Sequence, residues 1–183
     1  MNSIQQYNPQ TLPQNDNIND YSYNITLQND HFMVSHGAMI AYYGQLTFSA
    51  IANASMAGWA ASFFSSPLYA QDWMVAQGVG QLILGANGGN IASYDLTDNG
   101  SLTIRAASLL AFAPSLQLTE SVTPGFVNLT GDGKFLASSH GPVIFAEPPV
   151  RIDPQALLGW ADCPTPSIYH DIKWMTNMVG GIH

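Results

Sequence analysis

The sequence predicts an all-β protein: a pseudo-threefold repeat of short antiparallel strands forming a β-prism or sandwich, preceded by a disordered or wrapping N-terminal arm. Three observations carry this. Short runs of alternating apolar and polar residues recur along the chain, separated by Gly, Asn, Asp and Pro. The turn Ser35-His36-Gly37 returns as Ser139-His140-Gly141, and Gly89 sits midway, 52 residues from Gly37 and from Gly141. No long stretch carries a confident helical period.

Composition narrows the class of function. A chain of 183 residues is long enough for one domain with a proper core. Only 9% of residues are charged, far below the usual quarter, so Asn, Gln, Ser and Thr supply most of the polar surface. A low-charge surface suits a protein that buries much of itself in an assembly. Four basic residues, Arg105, Lys134, Arg151 and Lys173, face twelve acids. Nucleic acid is therefore not an expected partner, because its affinity rests on cations set against phosphate. Contact with a membrane surface has no support from charge either.

Residues 1–22 are rich in Asn, Gln, Asp and Pro and read as the polar arm. The main all-β domain spans 23–168. Tyr23-Asn24-Ile25-Thr26-Leu27 alternates as a strand does, and Gln28-Asn29-Asp30-His31 supplies turn chemistry. Phe32-x-Val34 resumes the alternation. Met39-Ile40-Ala41-Tyr42 reads as a buried strand, Tyr43-Gly44-Gln45 as a turn, and Leu46-x-Phe48 as the next strand. Residues 49–73 interrupt the pattern with Ala, Ser and aromatic residues, including Ile51, Met56, Trp59 and Phe63 near helical spacing. This insertion supplies the candidate interface residues Trp59, Phe63, Phe64 and Trp73.

From Gln77 onward strand follows strand. Gly78-x-Gly80 and Gly131-x-Gly133 read as turn glycines, and Asp98-Asn99-Gly100 between Leu96 and Leu102 predicts a hairpin. Leu102-x-Ile104 leads to Leu109-Leu110-Ala111-Phe112, and Val150-x-Ile152 leads likewise to Leu157-Leu158-Gly159-Trp160. Residues 169–183 form a C-terminal extension.

No enzyme signature emerges. The Gly-x-Gly pairs precede strands, not helices, and lack the P-loop Lys-Ser/Thr. His31, His36 and His140 lack the spacing of a metal site, and no carboxylate stands at a telling offset. The acids sit beside Gly, Pro or Asn, where turns place them. Cys163, the one cysteine, reads as a small apolar residue, and no Gly-x-Ser-x-Gly elbow occurs. No catalytic residue, cofactor or metal is expected. The opening residues lack the basic-then-apolar pattern of a secretory leader, which places the expected location in the cytoplasm.

The ordered set Phe32-x-Val34-x-x-Gly37-Ala38-Met39-Ile40-Ala41-Tyr42-x-Gly44, Gly78-x-Gly80-x-Leu82-x-Leu84-Gly85, Leu109-Leu110-Ala111-Phe112, Leu129-x-Gly131-x-Gly133-x-Phe135-Leu136 and Ile152-Asp153-Pro154-Gln155-Ala156-Leu157-Leu158-Gly159-Trp160 resembles the altered inheritance of mitochondria 24 family. The resemblance covers residues 23–167. It implies a fold similar to the tryptophan RNA-binding attenuation protein, a prism of β-sheets prone to oligomerise, with no catalytic residues. Mitochondrial members are tied to inner-membrane organisation. The scarcity of Lys and Arg speaks against carrying over RNA binding. Members usually continue with a further hairpin after the region of Trp160, so closure by a neighbouring copy or by the N-terminal arm is expected here.

Two functions follow as expectations. The first is a non-enzymatic structural or scaffold protein whose partner is itself, joined through β-sheet edges and apolar patches. The alternative is a binding module for a neutral ligand such as a glycan.

Overall fold

The computed structural model describes residues 8–51, 73–161 and 166–167. Eleven strands form two antiparallel sheets, and no α-helix occurs among the described residues. The strands are β1 (Asp16–Asn19), β2 (Ser22–Ser35), β3 (Met39–Ala50), β4 (Trp73–Gly85), β5 (Asn90–Leu96), β6 (Ser101–Arg105), β7 (Leu109–Phe112), β8 (Leu116–Glu120), β9 (Phe126–Gly131), β10 (Gly133–Ser139) and β11 (Gly159–Ala161). The first sheet runs β3-β4-β2-β7-β10-β5, with β1 also paired to β2; the second runs β11-β6-β9-β8.

The long strands β2, β3 and β4 make one continuous ribbon, creased across its middle. In β2 the crease is a bulge at Asn29, whose φ is 68°. Opposite it lie Gly78 and Gly80 of β4, and beyond them Gly44 of β3, with φ 91°. The register sets Leu27, Gly80 and Gly44 in one row across the three strands. A Cβ on Gly78 would lie 2.2 Å from the Gln45 carbonyl oxygen, and one on Gly80 would lie 2.1 Å from that of Tyr43. The backbones approach this closely only because side chains are missing there. This corrects three expectations. Gln28-Asn29-Asp30-His31 does not turn the chain, since β2 runs through it with a bulge. Gly44 does not end a strand, since β3 passes through it while staying paired to β4. Gly78 and Gly80 are not turn glycines but the middle of β4.

The first sheet curls back on itself. At its far edge the Ile91 N–H of β5 donates to the Asp20 carbonyl at 2.8 Å, and the Asn17 amide donates to the Ile91 carbonyl at 2.7 Å. Inside the curl Tyr23, Ile25, Leu27, Val34, Leu82, Leu84, Ile91, Leu110, Ala111 and Leu136 form one buried cluster. The second cluster lies between the sheets. Met33, Trp73, Val75, Leu109, Phe112 and Phe135 of the first sheet meet Ile104, Leu116, Leu118, Val127 and Leu129 of the second. Strand β7 serves both. A register shift opposite Leu136 and Ala137 turns Leu109 and Phe112 to the inter-sheet core and Leu110 and Ala111 into the curl. Burial on both faces explains why its sequence is an unbroken apolar run.

After β5 the chain steps between sheets. Asp98 (φ 58°) and Asn99 (φ 56°) form the expected left-handed turn, closed by Gly100 N–H to the Thr97 carbonyl at 2.9 Å. The strands it joins do not pair with each other, however. β5 pairs with β10, and β6 pairs with β9 and β11. A two-residue turn fixes only local direction. Leu96 and Leu102 on either side both pack on the inter-sheet cluster, which makes the turn a corner between sheets, not a hairpin. Gly131, with φ 117°, makes the expected break between β9 and β10.

The described part of the N-terminal arm is docked. Leu12 is buried, the Asn24 amide donates to the Pro13 carbonyl at 2.7 Å, and the Thr26 N–H donates to the Asn15 side chain at 2.9 Å. The Tyr23 hydroxyl donates to the Asn15 carbonyl. Residues 8–22, expected as part of a disordered or wrapping arm, lie against the chain's own first sheet and contain β1. Tyr23→Phe removes a hydrogen bond without altering the ring, so it is expected to cost about 1 kcal/mol in urea unfolding. It is also expected to speed proteolytic cleavage of the arm.

Residues 150–152, expected as a strand, are not one. They lie exposed in a segment without strand structure that runs from the end of β10 to β11. Pro148, Pro149 and Pro154 bracket them, and prolines contribute no N–H to a ladder.

Candidate functional site

The candidate catalytic and metal groups stay apart. His31 lies in β2, His36 in the turn before β3 and His140 just past β10. Among the described residues no three of His, Cys, Asp and Glu come together as ligands. Cys163 lies outside the described residues. The acids do local work: Asp132 accepts the Asn99 N–H at 2.9 Å, Asp153 accepts the Gln155 N–H at 2.8 Å, and Asp95 pairs with Lys134 at 3.1 Å. That ion pair is solvated and contributes little.

Of the candidate interface residues, Trp59, Phe63 and Phe64 lie outside the described residues. Trp73 is inside the protein, 4% exposed in the inter-sheet core, its ring edge-on to Phe112 at 5.0 Å. It begins β4 and offers no surface to a partner. Its position is the first apolar residue of a strand buried at both ends, a role that composition around it did not reveal.

Among the described residues, the largest group of exposed apolar side chains lies in residues 142–152. Ile144 is 87% exposed, Phe145 81%, Val150 48% and Ile152 45%. The segment is anchored at its ends and open between them. At its start the Ser139 hydroxyl donates to the Gly141 carbonyl at 2.6 Å. Phe145 touches Tyr94 edge-on at 6.1 Å, and Tyr94 stacks on Phe135 of β10 at 5.4 Å. Burial raises the Tyr94 hydroxyl above the usual tyrosine range. At the far end Arg105 of β6 is the clamp. Its guanidinium donates to the carbonyls of Pro154 at 2.7 Å and Leu157 at 2.9 Å. The same group lies over the Phe126 ring, 5.1 Å from its centroid, and Phe126 packs on Trp160 of β11 at 5.0 Å.

In the sequence Val150-x-Ile152 has the apolar-x-apolar pattern of a strand, and Ile144 and Phe145 follow the repeated Ser-His-Gly turn. The available signal was proline density: Pro142, Pro148, Pro149 and Pro154 deny it a ladder while Ile144 and Phe145 remain apolar. A smaller apolar strip lies on the ribbon, where Ile40 and Tyr42 of β3 and Val79 of β4 are exposed. β3 carries no charged residue and, among the described residues, pairs only with β4.

Comparison with known proteins agrees with the architecture. The family model described as mitochondrial biogenesis AIM24 matches residues 17–183. No protein of curated function matches the chain. A Streptococcus pyogenes protein solved by X-ray crystallography has a similar fold, with a TM-score of 0.50 and 21% identity. The similarity covers 69% of this chain and 63% of that one, so this chain spans under two thirds of that protein's length. The cytoplasmic location expected from the sequence has no support in the family description. No helix among the described residues is long and apolar enough to cross a membrane.

Proposed function

The chain belongs to the mitochondrial biogenesis AIM24 family, and from that premise we propose that it is a non-enzymatic structural protein that associates with further copies of itself. The observation that carries this reading is the exposed apolar segment 142–152. Ile144, Phe145, Val150 and Ile152 together present on the order of 500 Å² of apolar surface. Two such patches facing each other about a twofold reach roughly the 1,000 Å² at which specific interfaces begin. Charged residues are only 9% of the chain, so few ionised groups need desolvation in the contact, while the net charge of -8 on each copy opposes association and is screened by salt. The tethers at Tyr94 and Arg105 hold the segment in place, which lowers the ordering cost of association. The pseudo-threefold prism belongs to this proposal too, with residues 32–44, the β4–β5 turn and the end of β10 as its related units.

Sedimentation velocity at micromolar concentration tests the reading. The wild-type chain is expected to sediment as a dimer or larger species. The double variant Ile144→Asp, Val150→Asp is expected to sediment as a monomer, with its melting temperature and far-ultraviolet circular dichroism little changed, because both side chains are exposed in the single chain and neither is the ring that meets Tyr94. A wild-type chain that is monomeric throughout refutes self-association. Such a monomer, stabilised thermally by a member of a glycan panel, points to the binding-module alternative.

A further inference from the structure

We propose that Asn87 is a site of spontaneous backbone-mediated deamidation in the folded protein, and that the fold protects the other Asn-Gly pair of the chain at Asn99. The sequence contains two such pairs, Asn87-Gly88 and Asn99-Gly100. Glycine after asparagine favours this chemistry because no side chain hinders the attacking nitrogen. On sequence alone the two pairs are equivalent.

The structure separates them. Both lie in tight left-handed turns, but one residue out of phase. The first turn runs from Ala86 to Gly89 and is closed by the Gly89 N–H donating to the Ala86 carbonyl at 2.8 Å. Asn87 (φ 47°) and Gly88 (φ 88°) are its two central residues. The Gly88 N–H is therefore not the closing donor and makes no hydrogen bond among the described residues, nor does the Asn87 side chain. Both residues are exposed, and open space surrounds the position a Gly88 Cβ would take. The second turn runs from Thr97 to Gly100. Here the glycine after the asparagine is the closing residue, and its N–H is held by the Thr97 carbonyl at 2.9 Å. The Asn99 N–H is held as well, by the Asp132 carboxylate at 2.9 Å. A Cβ at Gly100 would lie 3.0 Å from the Thr97 carbonyl oxygen and 3.1 Å from the Leu96 side chain, so this corner is confined.

The reaction needs the nitrogen that Gly88 leaves free and Gly100 commits. The Gly88 backbone nitrogen gives up its proton and attacks Asn87 Cγ. The C–N bond of the side-chain amide breaks, and its nitrogen leaves as ammonia with that proton. The five-membered succinimide that results is opened by one water, at the side-chain carbonyl to give aspartate or at the main-chain carbonyl to give isoaspartate. No oxidant or cofactor takes part. Either product places a new carboxylate on a chain of net charge -8. Isoaspartate also inserts a methylene into the main chain of the turn that passes β4 into β5. The altered residue belongs to the class on which isoaspartyl repair methyltransferases act.

The test ages the full chain in mildly alkaline buffer, folded and in urea, and follows both asparagines by peptide mapping and by enzymatic isoaspartate labelling. In the folded chain Asn87 is expected to convert at least about fivefold faster than Asn99, the factor corresponding to one net hydrogen bond. In urea the two rates are expected to converge, because the turns are gone. Asn87→Gln is expected to remove the fast phase of labelling and leave the slow one. Equal rates in the folded chain, or a faster Asn99, overturn the proposal. So does a difference that persists in urea, since it then belongs to the local sequence and not to the fold.

Discussion

Gly78→Ala is expected to destabilise the protein by about 4 kcal/mol, a large part of the 5–15 kcal/mol that holds a typical domain together. Two causes add. The added Cβ would lie 2.2 Å from the Gln45 carbonyl oxygen, a main-chain atom of β3 that moves only if the ribbon separates. The residue also has φ 133°, a conformation L-residues rarely adopt. Gly37→Ala is the matched comparison. Gly37 has a positive φ of 85°, but nothing lies within 4 Å of its Cβ position. Its expected cost is about 1 kcal/mol, from conformation alone. Urea midpoints of the two variants decide the matter. If Gly78→Ala costs no more than Gly37→Ala, the crease is not a place where backbones are pressed together.

The second large effect is expected at Phe112. Its ring is fully buried between the sheets, edge-on to Trp73 and paired in register with Met33 and Phe135. Phe112→Ala leaves a cavity in the cluster both sheets share and is expected to cost about 4 kcal/mol. The loss appears as a lower thermal midpoint together with red-shifted tryptophan emission, because Trp73 loses the ring that covers it. Val79→Ala, on the exposed side of the ribbon, is expected to stay within about 0.5 kcal/mol of the wild type. Comparable losses at both positions would mean that the inter-sheet cluster is not what stabilises the fold.

The all-β class and most strands were legible because alternation and turn residues are local signals. Tyr23-Asn24-Ile25-Thr26-Leu27 needed nothing beyond its own pattern, and β7 announced itself by four apolar residues in a row. What stayed hidden depended on a partner strand. Gly44, Gly78 and Gly80 look like turn residues one by one, and only the register of three strands makes them a crease. The Asp98-Asn99 turn was legible, but its role as a corner was not, since β10 and β9 outcompete the hairpin pairing. The candidate surface shows the same limit. Aromatic richness drew attention to Trp73, which the core absorbs, while Val150-x-Ile152 looked like another strand and Ile144 and Phe145 followed a repeated turn. Exposure is a property of what fails to cover a residue, and no local pattern records that.

The pairing of β2 with β7 also sets a timetable for synthesis. Val34 waits for Ala111 and Met33 for Phe112, and the curl needs β10 as well. At ribosomal rates the nearly 80 residues from Val34 to Ala111 take roughly 4–16 s to emerge. Throughout that interval Met33 and Val34, fully buried in the finished molecule, have no partner strand on that side. Until then that edge of β2 is open on the nascent chain, a defined window in which it has no strand to pair with. The window closes only when Ser139, the last residue of β10, has left the exit tunnel.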